Sequence, residues 1–273
     1  MAAAAVGYFA THPAARSHKL ATKSRPGFQP IHGSRVTDHF FMRHHEHRFP
    51  DALALAHALS GEIEVDLTEA IEARGAASLV VSGGRTPKRL YEQLRSEKLD
   101  WSKAWITLAD ERWVDTASDA SNERMVRETL LSGPAAEAHF IGLKNPAPTP
   151  EAGAEWATRA LTRAPRPFDV VVLGMGEDGH TASLFPGSLA LSRALDASAA
   201  PACVAVNALA APHARMSLNL AALLDARRII LHFEGQAKWQ VYQRARTPGA
   251  AAELPVRAIL HQKETPVDVF WSP

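Results

Sequence analysis

Apolar and polar positions alternate in a regular order along most of this chain. In "DALALAHALSGEIEVDLTEAIEA", Leu53, Ala56, Leu59, Ile63, Leu67 and Ile71 recur at steps of three and four, the stripe of an amphipathic helix. "SLVVSGG" is a short β-branched run ending in glycines, which predicts a buried strand entering a turn. "TPKRLYEQLRSE" then predicts a helix, with Thr86 as N-cap and Pro87 at the first helical position. The order repeats: "AWITLAD" is a strand and "SNERMVRETLL" a helix, "HFIGL" a strand and "PEAGAEWATRALTR" a helix. "FDVVVLGMG" is a strong strand, and after a long loop come "CVAVNA" as a strand and "LAALLDA" as a short helix. "RIILHFEG" is a strand, "QAKWQVYQRA" a helix and "DVFWS" a terminal strand. Runs such as "VVVL" and "RIIL" are apolar throughout rather than alternating, as strands buried on both faces are. Strands separated by helices imply crossovers. The expectation is therefore one α/β domain over residues 38–273, with a mostly parallel, Rossmann-like sheet and helices on both faces. "KNPAPTP" (144–150) suits a surface connection better than a domain boundary.

Composition narrows the picture. With 46% hydrophobic and 22% charged residues, the chain can bury a sizeable core. A net charge of +1 argues against a nucleic-acid partner, and no apolar run approaches the ~20 residues of a membrane span. Cys203 is the only cysteine, which excludes an internal disulfide and fits a reducing, cytoplasmic setting. Residues 1–37 are basic and Ala-rich, with no acid before Asp38. Such a segment reads either as a disordered extension, including one from a start codon placed too far upstream, or as an organellar transit peptide.

Ligands of a parallel α/β sheet gather at the carboxyl ends of its strands. Three strand ends here carry polar or glycine-rich turns: "SGGRTP", "ADERWVD" and "GMGEDGH". Gly174, Gly176 and Gly179 have the G-x-G-x-x-G spacing of a dinucleotide turn, and Asp196 has roughly the offset of a ribose-binding acid, but no strand leads into it. A plain tight turn explains the glycines equally well. Neither reading explains Asp178 and His180, which Gly179 allows to face one cavity. A histidine of ordinary pKa near ~6.5 suits proton abstraction near neutral pH, and a neighbouring carboxylate orients such a ring. The bland alternative is a surface histidine in a polar turn.

In "VSGGRTP", Gly83 and Gly84 free the backbone before the helix opened by Thr86. This reads either as an anion cradle or as an ordinary strand-to-helix turn, and it is not a P-loop. Arg112 either pairs with Asp110, Glu111 and Asp115 or reaches an anion, and alone the pairing is favoured. Arg215 and Lys238 are isolated cations, a type usually found on solvated faces. Lys238 stands at a helix start, where the dipole disfavours it, a hint of an anionic partner. His39, His44, His45 and His47 with Glu46 resemble a metal cluster only in composition, and a solvated entry to the first helix is the expectation.

Taken together, these stretches resemble the 6-phosphogluconolactonase family, which shares an α/β fold with the glucosamine-6-phosphate isomerases. The resemblance covers roughly residues 45–273. It rests on "SGGRTP", "LADERWV" with "SNERMVRETLL", "LGMGEDGHTASLFPG", "ARMSLNLAALLDARRIIL", "GQAKW" and "LPVRAILHQKETPVDVFWSP". It implies hydrolysis of 6-phospho-glucono-1,5-lactone to 6-phosphogluconate, a step of the oxidative pentose phosphate pathway. His180 would be the base with Asp178 beside it. Gly83, Gly84, Thr86, Arg112, Arg215 and Lys238 would hold the sugar phosphate, with no metal and no cofactor. Arg85 departs from the serine common at its position and either adds a phosphate contact or faces solvent. The related isomerases continue their "DGH" turn with "IAFNEP", whereas this chain continues with "TASLFPGS" and lacks that acid. A non-catalytic sugar-phosphate sensor on the same fold is the rival from another class. Oligomeric state stays open.

Overall fold

Residues 44–207 and 212–273 are described here from a computed structural model. In chain order the strands are β1 (His45–Arg48), β2 (Ala77–Val81), β3 (Ala104–Leu108), β4 (Asp110–Arg112), β5 (His139–Ile141), β6 (Phe168–Leu173), β7 (Cys203–Val206), β8 (Arg215–Leu218), β9 (Ala226–Glu234) and β10 (Val267–Ser272). The helices are α1 (Ala52–Arg74), α2 (Lys88–Leu94), α3 (Asn122–Thr129), α4 (Pro150–Leu161), α5 (Leu191–Ala194), α6 (Leu220–Leu224), α7 (Gln236–Ala245) and α8 (Val256–Leu260).

Seven strands form one sheet in the order β1-β10-β9-β6-β2-β3-β5, and every neighbouring pair in it is parallel. Every residue of β2 and β6 is buried. A strand buried at every position needs cover on both faces, which is why the continuous apolar runs of the sequence become central strands. The fold is thus the mostly parallel α/β domain expected.

Helix α1 begins where the Asp51 carboxylate accepts the amides of Leu53 and Ala54, at 2.9 and 2.8 Å. It ends at Gly75, whose φ of 80° lies in the left-handed region that glycine adopts without penalty. Its buried face runs through Leu55, Leu59, Ile63 and Leu67. Leu53, assigned to the stripe from its spacing, is 57% exposed, because Leu55 occupies the inward position of the first turn. The role expected of Thr86 is also corrected. Helix α2 starts at Lys88, Pro87 stands at its cap position, and no side chain caps it.

Two other departures change the architecture. The histidine-rich stretch, expected as a solvated entry to the first helix, contains an edge strand: His45–Arg48 pair with β10. Its hydrogen-bonding partner lies more than 200 positions away, so no local pattern announces it. A second, antiparallel sheet of order β4-β8-β7 was absent from the expectation. "HARMSLN" contributes its central strand, and three-residue β4 is too short to show a period of two. His39 and the expected extension over residues 1–37 lie outside the described residues. No helix among the described residues is long and apolar enough to cross a membrane.

The two sheets are joined at Ala109. Its amide donates to the Val81 carbonyl at 2.8 Å in the large sheet, and its carbonyl accepts the Leu218 amide at 2.9 Å in the small one. The next residue but one locks the junction. Glu111 is fully buried. Its carboxylate accepts the amides of Arg112, Asn122 and Glu123 at 2.6–2.7 Å and the Ser121 hydroxyl at 3.0 Å. Burial raises its pKa against the opposing pull of those donors. Glu111 thereby ties the start of α3 to β4 and fixes Asn122 beside the first glycine turn. Glu111→Gln would set an amide donor against backbone donors. It should cost about 2–3 kcal/mol, the penalty of leaving buried groups unpaired, measured as a lower urea midpoint with an unchanged slope.

Candidate active site

From β2 the chain winds outward through β3 to β5, and from β6 it winds the other way through β9 to β10. The reversal falls between adjacent β2 and β6, so the turns following these two strands diverge and leave a crevice at their carboxyl ends. A cavity of about 280 Å³ lies there, near the lower end of the range for small-molecule sites. The turn after β2, the turn after β6 and the small sheet form its walls.

The first wall is Ser82–Pro87. The Tyr91 hydroxyl donates to the Ser82 carbonyl at 2.7 Å and holds the turn from beneath. Gly83 has no room for a side chain, since a Cβ there would meet Asn122 Oδ1 at 1.9 Å. Gly84 has a φ of 95°. Among the described residues, the amides of Gly84, Arg85 and Thr86 donate to no protein acceptor within hydrogen-bond distance, which leaves them available to a ligand. Arg85 is exposed and Thr86 half-buried, and both line the cavity.

The second wall is the turn after β6. It closes through Gly176 N–H to the His180 carbonyl at 2.9 Å and Gly179 N–H to the Gly176 carbonyl at 3.0 Å. Gly179 has a φ of 78°, and the Val256 amide donates to its carbonyl, which anchors the turn on α8. The Asp178 carboxylate accepts the His180 amide at 3.1 Å and lies 2.5 Å from the imidazole Nδ1. Burial pushes the Asp178 pKa up, but the hydrogen bond and charge of His180 outweigh it and hold the carboxyl below the usual range. An ionised carboxylate only accepts, so Nδ1 carries the proton, and in the neutral ring Nε2 then keeps its lone pair. The ring rests on Phe185, with centroids 4.4 Å apart, and lines the cavity. Just beyond it, Ala182 has a φ of 47°, a strained conformation for a residue with a Cβ. Such strain is found at functional sites.

The third wall is cationic. Arg112 and Arg215 stand directly opposite one another on β4 and β8. Like charges so placed repel across an antiparallel pair. Burial lowers the Arg215 pKa, the nearby Arg112 charge lowers it further, and Asp110 opposes both. The Arg215–Asp110 ion pair is long, at 4.0 Å, because Ser183 Oγ already donates to the same carboxylate oxygen. Arg112 pairs with none of the three acids near it in sequence. Glu111 is occupied by backbone amides, Asp110 is engaged by Ser183, and Asp115 accepts the Ala117 amide. Arg112 Nη1 donates instead to the Ala120 carbonyl at 2.6 Å, and its Nε is buried without a partner. Arg215 is likewise no solvated cation, at 8% exposure. Lys238, in the first turn of α7, lines the same cavity, and burial lowers its pKa against the pull of Glu177 and Glu234. Arg85, Arg112, Arg215 and Lys238 thus converge, with Asp110 as the one acid lining the cavity among the described residues. An anionic ligand would relieve their mutual repulsion.

The expected residues come together, with two qualifications. Asp178 does not line the cavity and acts on it only through His180. Asp196, the candidate ribose acid, accepts the amide and hydroxyl of Ser198 within its own turn. Sequence reasoning missed Asp110, Asn122 and His232, which also line the cavity. His232 lies in β9 near its carboxyl end, 2% exposed, and its Nε2 has no hydrogen-bond partner among the described residues. An unpaired buried polar group costs about 1–3 kcal/mol. The signal for it was present in "RIILHFEG", where one polar side chain interrupts an apolar strand close to the end at which ligands gather.

The family model described as glucosamine-6-phosphate isomerases/6-phosphogluconolactonase matches residues 50–271. A 6-phosphogluconolactonase of Rhizobium meliloti (strain 1021) is 44% identical over 227 residues, covering 83% of this chain and 98% of that protein. One of Pseudomonas putida is 42% identical over 227 residues, covering 83% and 92%. The crystal structure of a 6-phosphogluconolactonase from Shewanella baltica OS155 superposes with a TM-score of 0.83 at 50% identity, covering 85% of this chain and 99% of that one.

The histidine–carboxylate pair depends on the absence of a side chain beneath it. A Cβ at position 176 would lie 2.2 Å from His180 Nδ1 and 2.5 Å from Asp178 Oδ1. Gly176→Ala should therefore displace the pair while the sheet stays intact. The downfield imidazole N–H proton resonance should disappear from the NMR spectrum, and the far-UV circular dichroism should stay as in the parent. Retention of that resonance would show that the turn tolerates the methyl group.

Proposed function

This chain belongs to the glucosamine-6-phosphate isomerase/6-phosphogluconolactonase family, and from that premise we propose that it hydrolyses 6-phospho-glucono-1,5-lactone to 6-phosphogluconate, with His180 as general base. The reading is carried by one observation: an imidazole whose Nδ1 is held by a carboxylate lines a small cavity together with four cations, Arg85, Arg112, Arg215 and Lys238. The names of the relatives supply the substrate.

His180 Nε2 takes a proton from water as the water oxygen bonds to the lactone carbonyl carbon. The carbonyl electron pair moves onto oxygen. Collapse of this tetrahedral adduct breaks the bond from that carbon to the ring oxygen, and the imidazolium returns its proton to the ring oxygen. Asp178 stabilises the imidazolium while it exists. The phosphate rests on Arg112, Arg215 and Lys238, with Gly83, Gly84, Arg85 and Thr86 closing over it. Burial of Arg215 strengthens the contact, since a desolvated cation binds an anion better than a hydrated one. No serine nucleophile is needed, because a lactone is already a reactive ester, and no redox or metal step enters the balance.

His180→Asn should lower kcat by roughly 10²–10⁴-fold, the usual share of general-base catalysis, with little change in KM. Asp178→Asn should cost less. Arg215→Ala or Lys238→Ala should raise KM roughly tenfold to a hundredfold, the worth of one charge-assisted hydrogen bond. The assay is acid release from fresh lactone, corrected for spontaneous hydrolysis. Ammonia release from glucosamine 6-phosphate without lactone hydrolysis would replace this reading with the family's isomerase chemistry.

A further inference from the structure

Resting on that reading, we propose that His232 is a specificity residue that hydrogen-bonds a ring hydroxyl of the substrate. In β9 its neighbours Leu231 and Phe233 are fully buried in the apolar core. Successive side chains of a strand point to opposite faces, and His232 lines the cavity. A leucine there would fill the space without the burden of an unpaired polar atom. The imidazole is 2% exposed, and Nε2 is buried with no hydrogen-bond partner among the described residues. The nearest acid oxygen, Glu234 Oε1, stands 3.7 Å away, beyond hydrogen-bond reach. Room for a ligand exists beside it. The β6–β9 register sets Leu173 opposite Leu231, so Gly174 follows on next to His232. A Cβ on Gly174 would meet only Ser82 Oγ, at 3.9 Å.

The chemistry of the partner follows by division of labour. The phosphate is met by the cationic wall and the lactone carbonyl by His180. What remains of the substrate able to pair with an imidazole is its hydroxyl groups. A neutral imidazole both donates and accepts, which suits a hydroxyl. A site built to hydrogen-bond a hydroxyl rejects the analogue that lacks it, because its own buried group is then left unpaired.

The test compares kcat/KM on 6-phospho-glucono-1,5-lactone and its 2-, 3- and 4-deoxy forms for wild type, His232→Leu and His232→Gln. His232→Leu should lose roughly tenfold to a hundredfold on the parent lactone, the worth of one hydrogen bond to a buried group. It should lose less than threefold on one of the deoxy lactones. His232→Gln, which keeps a donor and an acceptor, should recover part of the loss on the parent alone. Equal loss on all four lactones, or no loss on the parent, overturns the proposal. If His232→Leu does not fold, His232→Gln against the deoxy series carries the same comparison. Should wild type lack turnover, the hydrolytic reading fails first. Calorimetry of 6-phosphogluconate against its deoxy forms, with the same variants, then decides the role of His232 separately.

Discussion

The reversal of winding between β2 and β6 is the constraint on which the site depends. Two parallel strands that are hydrogen-bonded neighbours send their chains in opposite directions, so the polar turns at their ends separate instead of packing on each other. One turn presents amides around Gly84, and the other presents His180. Neither needs its own pocket, because the sheet provides the depth between them. The buried apolar strands underneath, with every residue of β2 and β6 out of solvent, make that geometry stiff.

The small antiparallel sheet adds what the large one lacks. A parallel sheet ends in loops, which hold charged side chains loosely. The Arg112–Arg215 rung instead fixes two guanidinium groups on hydrogen-bonded backbone in the wall of the crevice. Holding them there opposes electrostatics, and the backbone bonds of Ala109 and the amides held by the Glu111 carboxylate compensate. The cations are thereby organised before any ligand arrives, which spares the ordering cost that flexible side chains would incur on binding. The histidine wall follows the same logic with another device: a carboxylate fixes the tautomer and a missing Cβ at Gly176 makes space for the pair.

The large sheet was legible in the sequence because burial on both faces leaves a one-dimensional trace, the uninterrupted apolar run. Helix α1 was legible for the same reason, although the first turn was misassigned to Leu53 where Leu55 faces inward. The small sheet was not legible. Of its strands only "CVAVNA" was read as one; β4 and β8, of three and four residues, carry too few positions for a period, and their identity comes from the long-range pairing of Asp110–Arg112 with Arg215–Ser217. The glycine turns and the Asp178–His180 pair could be read because their chemistry is local. The ion pairing favoured for Arg112 from its neighbours alone is absent because Glu111 and Asp115 are taken up by backbone amides and Asp110 by Ser183, a fact of three dimensions. His232 escaped notice because a single histidine in an apolar strand is more often a satisfied core residue than a ligand, and only its lack of a partner separates the two cases.

The pairing of β1 with β10 brings the first and last described strands side by side at the edge of the large sheet. Such long-range closure is slow in folding, since the entropy of joining distant segments is lost before the contacts form. On the ribosome, β1 therefore waits for nearly the whole domain to be made before its partner exists. The turn bearing His180 waits as well, because Val256 supplies its anchoring amide. Until those segments emerge, a chain with most of its sheet assembled still lacks the contact that fixes the His180 turn.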